Sequence, residues 1–197
     1  MILGSHVILS AYGFWLPNDP RGSWSQFVGS WELSRFGRAT KIDSRESVAA
    51  RPHDKRHRLA AKGALQRPPV RFDGRQARAI GRGFAALAAR SRLTIWACAI
   101  LPEHVHLVLA SHGYDAAQAA NLLKGQATRQ LRAENLHPVA MEAGPGQRPP
   151  SVWARGLWKV YLFRPEDVCR AIRYVEGNPM REGLPPQRWP FATRYEG

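Results

Sequence analysis

Leu101-Pro102-Glu103-His104-Val105-His106-Leu107-Val108-Leu109 is the stretch from which the rest of the chain can be read. It is apolar, β-branched and alternating, with the turn pair Pro102-Glu103 in front, and this pattern predicts a strand. Side chains of a strand point to opposite faces in turn, so His104 and His106 share one face while Val105 and Leu107 share the other. Two imidazoles side by side on a rigid strand make half of a metal site, since neutral imidazole is the commonest protein metal ligand. The same pattern also fits two polar residues on the wet face of a half-buried strand.

A second stretch, Arg164-Pro165-Glu166-Asp167-Val168-Cys169-Arg170-Ala171-Ile172-Arg173-Tyr174-Val175-Glu176-Gly177-Asn178-Pro179, predicts a helix. Pro165 followed by two acids suits a first turn, where a missing N–H is harmless and negative charge meets the helix dipole. Val168, Ala171, Ile172 and Val175 recur at helical spacing and form the buried stripe. Tyr174 and Asn178 lie four residues apart and share the flank of that stripe. Pro179 is expected to stop the helix. By itself the stretch also fits a core tyrosine near a helix end, with Asn178 as a stop signal.

Together the two stretches resemble the single-tyrosine HUH transposases, and most closely the REP-associated tyrosine transposases of bacteria. The resemblance rests on Leu101-Pro102-Glu103-His104-Val105-His106-Leu107-Val108 and on Tyr174-Val175-Glu176-Gly177-Asn178-Pro179 followed by Arg181-Glu182-Gly183-Leu184. The early run Tyr12-Gly13-Phe14-Trp15-Leu16-Pro17-Asn18-Asp19-Pro20-Arg21-Gly22-Ser23 is similar to a subgroup of the same family. Residues 1–24 and 74–185 are covered, and the segment between them is not.

The resemblance implies a transposase that cleaves and rejoins single-stranded DNA at hairpin-forming, REP-like palindromes. Tyr174 would be the catalytic nucleophile, forming a 5′-phosphotyrosine link. His104 and His106 would hold a divalent metal, with Asn178 as a third ligand in the place of the family's polar residue on the tyrosine helix. The family implies Mg2+ or Mn2+, although imidazole by its chemistry suits manganese or zinc better than magnesium. A monomer is expected. Two other readings stay open: a non-catalytic hairpin-binding protein, and a metal-dependent nuclease in which water attacks and Tyr174 only packs.

Composition agrees with a nucleic-acid partner. The 197 residues carry a net charge of +14, and of the 29 basic residues five are lysine (Lys41, Lys55, Lys62, Lys124, Lys159) and the remaining 24 arginine. Arginine's planar fork grips phosphate in two places and stacks on bases. The DNA-binding candidates are Arg21, then Arg51, Lys55, Arg56 and Arg58 in a basic run, then Lys124 and Arg129 on the outer side of a helix. Trp15 and Trp158, with Trp24, are candidates for stacking on unpaired bases, or ordinary core tryptophans. His6 is expected to be packed or hydrogen-bonded rather than a ligand. No Cys-x-x-Cys or His-Glu-x-x-His occurs, which argues against a structural zinc or a zinc protease. Cys98 and Cys169 are expected to be free thiols, and with no secretory or membrane-spanning pattern the expected location is cytoplasmic, near the nucleoid.

The expected fold is α+β. A strand over 5–12, a helix over Gly74–Arg92, a strand over Leu93–Leu101, the histidine strand, a helix over 114–136 and a strand or bent ribbon over Val152–Phe163 give a ferredoxin-like split βαβ sheet. Right-handed crossovers put the first strand beside the histidine strand, with helices on one face, as in an HUH endonuclease. One domain is expected over 1–197, with a basic insertion or loop at about 23–73 and a Pro/Trp-rich tail at 185–197.

Overall fold

In the computed structural model of the chain, β1 (Gly4–Ser10) lies between β3 (His104–Ala110) and β4 (Trp158–Leu162), and β2 (Ile95–Ile100) pairs with the outer side of β3. These four strands pair with one another antiparallel, in the order β2-β3-β1-β4. All residues except 43, 45–47 and 145 are described. The α-helices among them are α1 (Trp31–Ser34), α2 (Lys55–Gly63), α3 (Gly74–Ser91), α4 (Ala116–Ala133) and α5 (Pro165–Arg181). The run β1-α3-β2-β3-α4-β4 is the split βαβ order, with β1 beside the histidine strand as the crossover rule requires.

The two crossover helices start at matching signals. Asp73 with Gln76, and Asp115 with Gln118, form reciprocal capping boxes that satisfy backbone donors at the helix starts. Ile80, Phe84 and Leu87 of α3, with Ala120, Leu123 and Leu131 of α4, bury the odd-numbered face of the central strands: Val7, Leu9, Val105, Leu107 and Leu109. Each fully buried Val, Leu, Ile or Phe among them contributes about 1.5–3 kcal/mol. The helices meet closely at Gly83, where a Cβ would lie 2.9 Å from Ala127 Cα.

Helices on one face describes α3 and α4 but not α5. Val168, Ala171 and Val175 of α5 pack on the opposite face, against Ala97, Ala99, Val108 and Leu162. That face is apolar at the β2 end and polar near His6 and His106, so a helix covers only part of it.

Four local expectations change. Pro179 lies within α5, which continues to Arg181. Its ring removes one hydrogen bond, and the end is closed instead by Glu182 N–H to Asn178 O and Leu184 N–H to Pro179 O, with Gly183 at φ 70°. Alternation along the strand predicts Ile95, Ala97 and Ala99 on one side and Trp96 on the other, but a register shift between Ile95 and Ala97 puts Ile95 on the α3 side, while Trp96 joins Ala97 and Ala99 on the α5 side. Lys124, expected on the outer side of its helix, is 7% exposed, and its ammonium donates to Ala154 O (2.9 Å) and Gly156 O (2.5 Å). The basic run 51–58 is not wholly a loop, because α2 starts at Lys55 with the Asp54 side chain accepting from His57 N–H.

The segment 23–73, in which residues 43 and 45–47 lie outside the described ones, builds a small core together with the loop after β1. Leu33 and Ala61 pack with Leu16, helped by Val28, Phe36 and Leu65. The tail is also placed by packing: the Gln187 side chain bonds both N–H and C=O of Ile100, Thr193 N–H donates to Ile95 O, and Trp189 and Phe191 lie on the α3 core. It covers the open edge of β2, which would otherwise offer free backbone groups to another strand.

Candidate active site

Strand pleating puts His6, Ile8 and Ser10 of β1 on the same face as His104 and His106 of β3. The register pairs Ile8 with His106 and Ser10 with His104. On the other side of β1, Ile8 pairs with Trp158 of β4. These residues line a groove of about 830 Å³, which is closed along one side by Asp167, Arg170, Tyr174 and Asn178 of α5. The opposite wall comes from the loop after β1, with Phe14, Trp15 and Trp24.

Within the groove the imidazoles are close together. His104 and His106 have ring centroids 4.8 Å apart, and His104 stacks on Phe14 at 4.5 Å and 8°. The Nδ1 of His104 is buried without a hydrogen-bond partner. His6 Nε2 lies 3.1 Å from His106 Nδ1, so the expectation of a hydrogen-bonded His6 holds. Burial lowers the pKa of His6 and of His104 to about 4. Burial, then the neighbouring His104 and His6, pushes His106 well below the usual histidine value. All three rings are therefore neutral near pH 7, the form that can donate a lone pair to a metal.

Tyr174 stands across from them on α5. Its ring centroid is 5.6 Å from His106 and 5.8 Å from His6, with the Arg181 guanidinium 4.9 Å over it. The ring is half-buried, yet its hydroxyl makes no hydrogen bond among the described residues. That hydroxyl is not among the buried side-chain atoms left without a partner, so it is open to the groove. One turn on, Asn178 is 6% exposed and lines the same groove, and its amide likewise makes no hydrogen bond among the described residues. Among the described residues no group of three or more His, Cys, Asp or Glu is arranged to hold a metal.

No protein-family model matches the chain, and no curated protein matches it. A solved structure described as a REP-associated tyrosine transposase bound to a REP hairpin is similar at a TM-score of 0.47 and 16% identity, over 97% of this chain and 76% of that one.

Of the residues singled out from the sequence, Tyr174, His104, His106, Asn178, Trp15 and Trp158 all line one groove. Trp24 is there too, its ring 5.8 Å from that of Trp158. The cations fall elsewhere. Arg21 forks onto the buried Asp19 carboxylate and lies 3.8 Å over the Trp15 ring, with its side chain 10% exposed. Its planar head braces the loop that carries Trp15. Lys124 is buried, and Arg129, bonded to Gln126, lies on α4 on the far side of the sheet from the groove. Arg51, Lys55 and Arg56 are exposed and Arg58 bonds His53, none of them lining the groove.

Four charged groove residues were not singled out: Arg155, Asp167, Arg170 and Glu182, with Asp167 and Arg170 paired with each other. Asp167 and Arg170 read locally as ordinary residues of the first two turns of a helix. Only the docking of α5 brings them to the groove.

Proposed function

We propose that this chain is a single-tyrosine HUH-type strand transferase that cleaves and rejoins single-stranded DNA at hairpin-forming palindromes. The observation that supports it most is Tyr174, half-buried and standing against His106 and His6 in the groove that also holds His104 and Asn178. A tyrosine placed only for packing would not require a hydrophilic wall of neutral imidazoles opposite it. The sequence resemblance supplies the substrate class, and the net charge of +14 agrees with a polyanion.

In this reading the Tyr174 hydroxyl oxygen attacks a phosphodiester phosphorus in line with the 3′ oxygen. The tyrosine O–P bond forms, the P–O3′ bond breaks, the phenol proton passes to solvent, and the leaving 3′ oxygen takes up a proton. Attack by a 3′-hydroxyl reverses the step and rejoins strands without an external energy source. Phosphoryl transfer of this kind depends mainly on positioning and charge neutralisation. The anchoring of α5 on Ala97, Ala99 and Val108 holds Tyr174 at the histidine face.

A divalent metal fits the donor set of His104, His106 and Asn178, since both imidazoles are neutral and the buried Nδ1 of His104 has no other partner. Bound there, such a metal would act as a Lewis acid on the scissile phosphate. Trp24, at the groove rim, and Trp158 offer ring faces or edges to unpaired bases.

The test is a denaturing gel of the protein incubated with 3′-end-labelled single-stranded hairpin DNA and Mn2+. Label migrating with the protein is the expected result. Cutting without any labelled protein would replace this reading with the nuclease in which water attacks. Binding without cutting would leave a hairpin-binding protein.

A further inference from the structure

His6 sits in the middle strand with 8% of its surface exposed, and it touches three groove residues at once. Its ring meets Trp158 edge-on at 5.1 Å and Tyr174 at 5.8 Å, and its Nε2 is 3.1 Å from Nδ1 of His106. The Nδ1 of His6 and the Nε2 of His106 make no hydrogen bond among the described residues. Of the two rings, only the nitrogens facing each other are engaged.

Between two neutral imidazoles a single proton occupies such a contact, and two arrangements are available. If His6 donates, His106 accepts at Nδ1 and its own proton sits on Nε2, which then has no lone pair for a cation. If His106 donates from Nδ1, its Nε2 lone pair is free, and His6 carries its proton on Nδ1. A histidine that ligates a metal through one nitrogen characteristically donates from the other to an acceptor that fixes ring and tautomer.

We propose that His6 is that acceptor: a positioning residue that holds His106 with its proton on Nδ1 and its Nε2 lone pair turned over to a divalent cation. The inference rests on the metal-binding part of the proposed function. It adds a residue outside the histidine pair and the tyrosine helix, and it links β1 to the site. His6 is well suited to the task because both its position and its ring plane are held. Backbone pairing of β1 on both sides fixes its Cα, and Trp158 and Tyr174 bracket its ring.

The experiment uses the full chain with 15N-labelled histidine, loaded with Zn2+ as a diamagnetic probe. Long-range 1H–15N correlation should find both His6 and His106 protonated at Nδ1. A proton on Nε2 of His6 in the loaded protein would overturn the inference. In parallel, calorimetry with Mn2+ compares the parent with two variants whose folding is checked by circular dichroism. His6→Leu removes the acceptor and should lose about 10–100-fold in Mn2+ affinity. His6→Gln keeps an acceptor oxygen at the end of a comparable side chain and should stay close to the parent.

A parent that binds no metal overturns this inference together with the metal part of the proposed function. A parent that binds, with His6→Leu binding equally well, overturns this inference alone. His6→Gln falling as far as His6→Leu would make His6 a packing residue and also overturn it. If His6→Leu does not fold, the tautomer measured in the parent decides.

Discussion

The ring of Tyr174 stands edge-on to that of His106, 5.6 Å away, across the gap between α5 and β3. Removing only its hydroxyl separates chemistry from packing. Tyr174→Phe keeps the ring packing against His6, His106 and Arg181 and breaks no hydrogen bond among the described residues. Thermal unfolding should therefore show a change below the roughly 0.5–1.5 kcal/mol expected for a missing hydrogen bond. Cleavage and the covalent protein–DNA species should both vanish, because no other group can make the bond. Near-normal cleavage by this variant would mean that Tyr174 only packs.

Replacing His104 or His106 by alanine, or Asn178 by alanine, should abolish or strongly reduce cleavage while leaving hairpin affinity nearly intact. The metal would act on one phosphate among the many that the protein holds. A gel-shift titration and a cleavage assay on the same preparations check this. Cleavage by the parent that persists in excess chelator would remove the metal from the mechanism.

The basic run presents Arg51, Lys55 and Arg56 on the surface, at and just before the start of α2. Alanine at all three should weaken hairpin binding and flatten its salt dependence, by about one unit of slope for each phosphate no longer neutralised. Arg58 is best left in place, because it bonds His53 within the same turn. An unaltered slope would limit these residues to solubility.

Lys124→Met tests a buried cation behind the groove. Its ammonium holds the carbonyls of Ala154 and Gly156, and the intervening Arg155 lines the groove. Leaving buried acceptors unpaired should cost about 1–3 kcal/mol. Burial lowers the lysine pKa to about 8, so the folded state gives up this proton before the unfolded one. Between about pH 8 and 10.4 the unfolded chain binds more protons, and this residue's contribution to stability rises with pH. The deficit of Lys124→Met against the parent in urea unfolding should widen across that window by roughly 1–3 kcal/mol. A constant deficit would mean that Lys124 titrates normally.

Much of this architecture follows from local patterns. The alternation around His104 and His106 puts both on one face whatever the rest of the chain does, since side chains alternate with a period of two. The Asp73/Gln76 and Asp115/Gln118 pairs mark helix starts with their own side chains, and the apolar stripe of α5 puts Tyr174 and Asn178 on one flank. The order of elements with the handedness of crossovers then brings β1 beside the histidine strand.

What local pattern could not decide depended on partners distant in the chain. Lys124 looks like a surface lysine by composition, and it turns inward because two carbonyls of the 154–156 loop wait there. Pro179 looks like a stop, but a helix end can absorb one missing donor when the following turn closes on Asn178 and Pro179. The segment 23–73 has too few apolar residues for a clear period, yet Leu33 and Ala61 find Leu16 across the loop. His6 is one of three polar residues in β1, with Ser5 and Ser10. Its pairing with His106 arises only from strand register and the docking of Tyr174 and Trp158 against the same face, because a hydrogen bond needs two groups placed within about 3 Å and no sequence period encodes that.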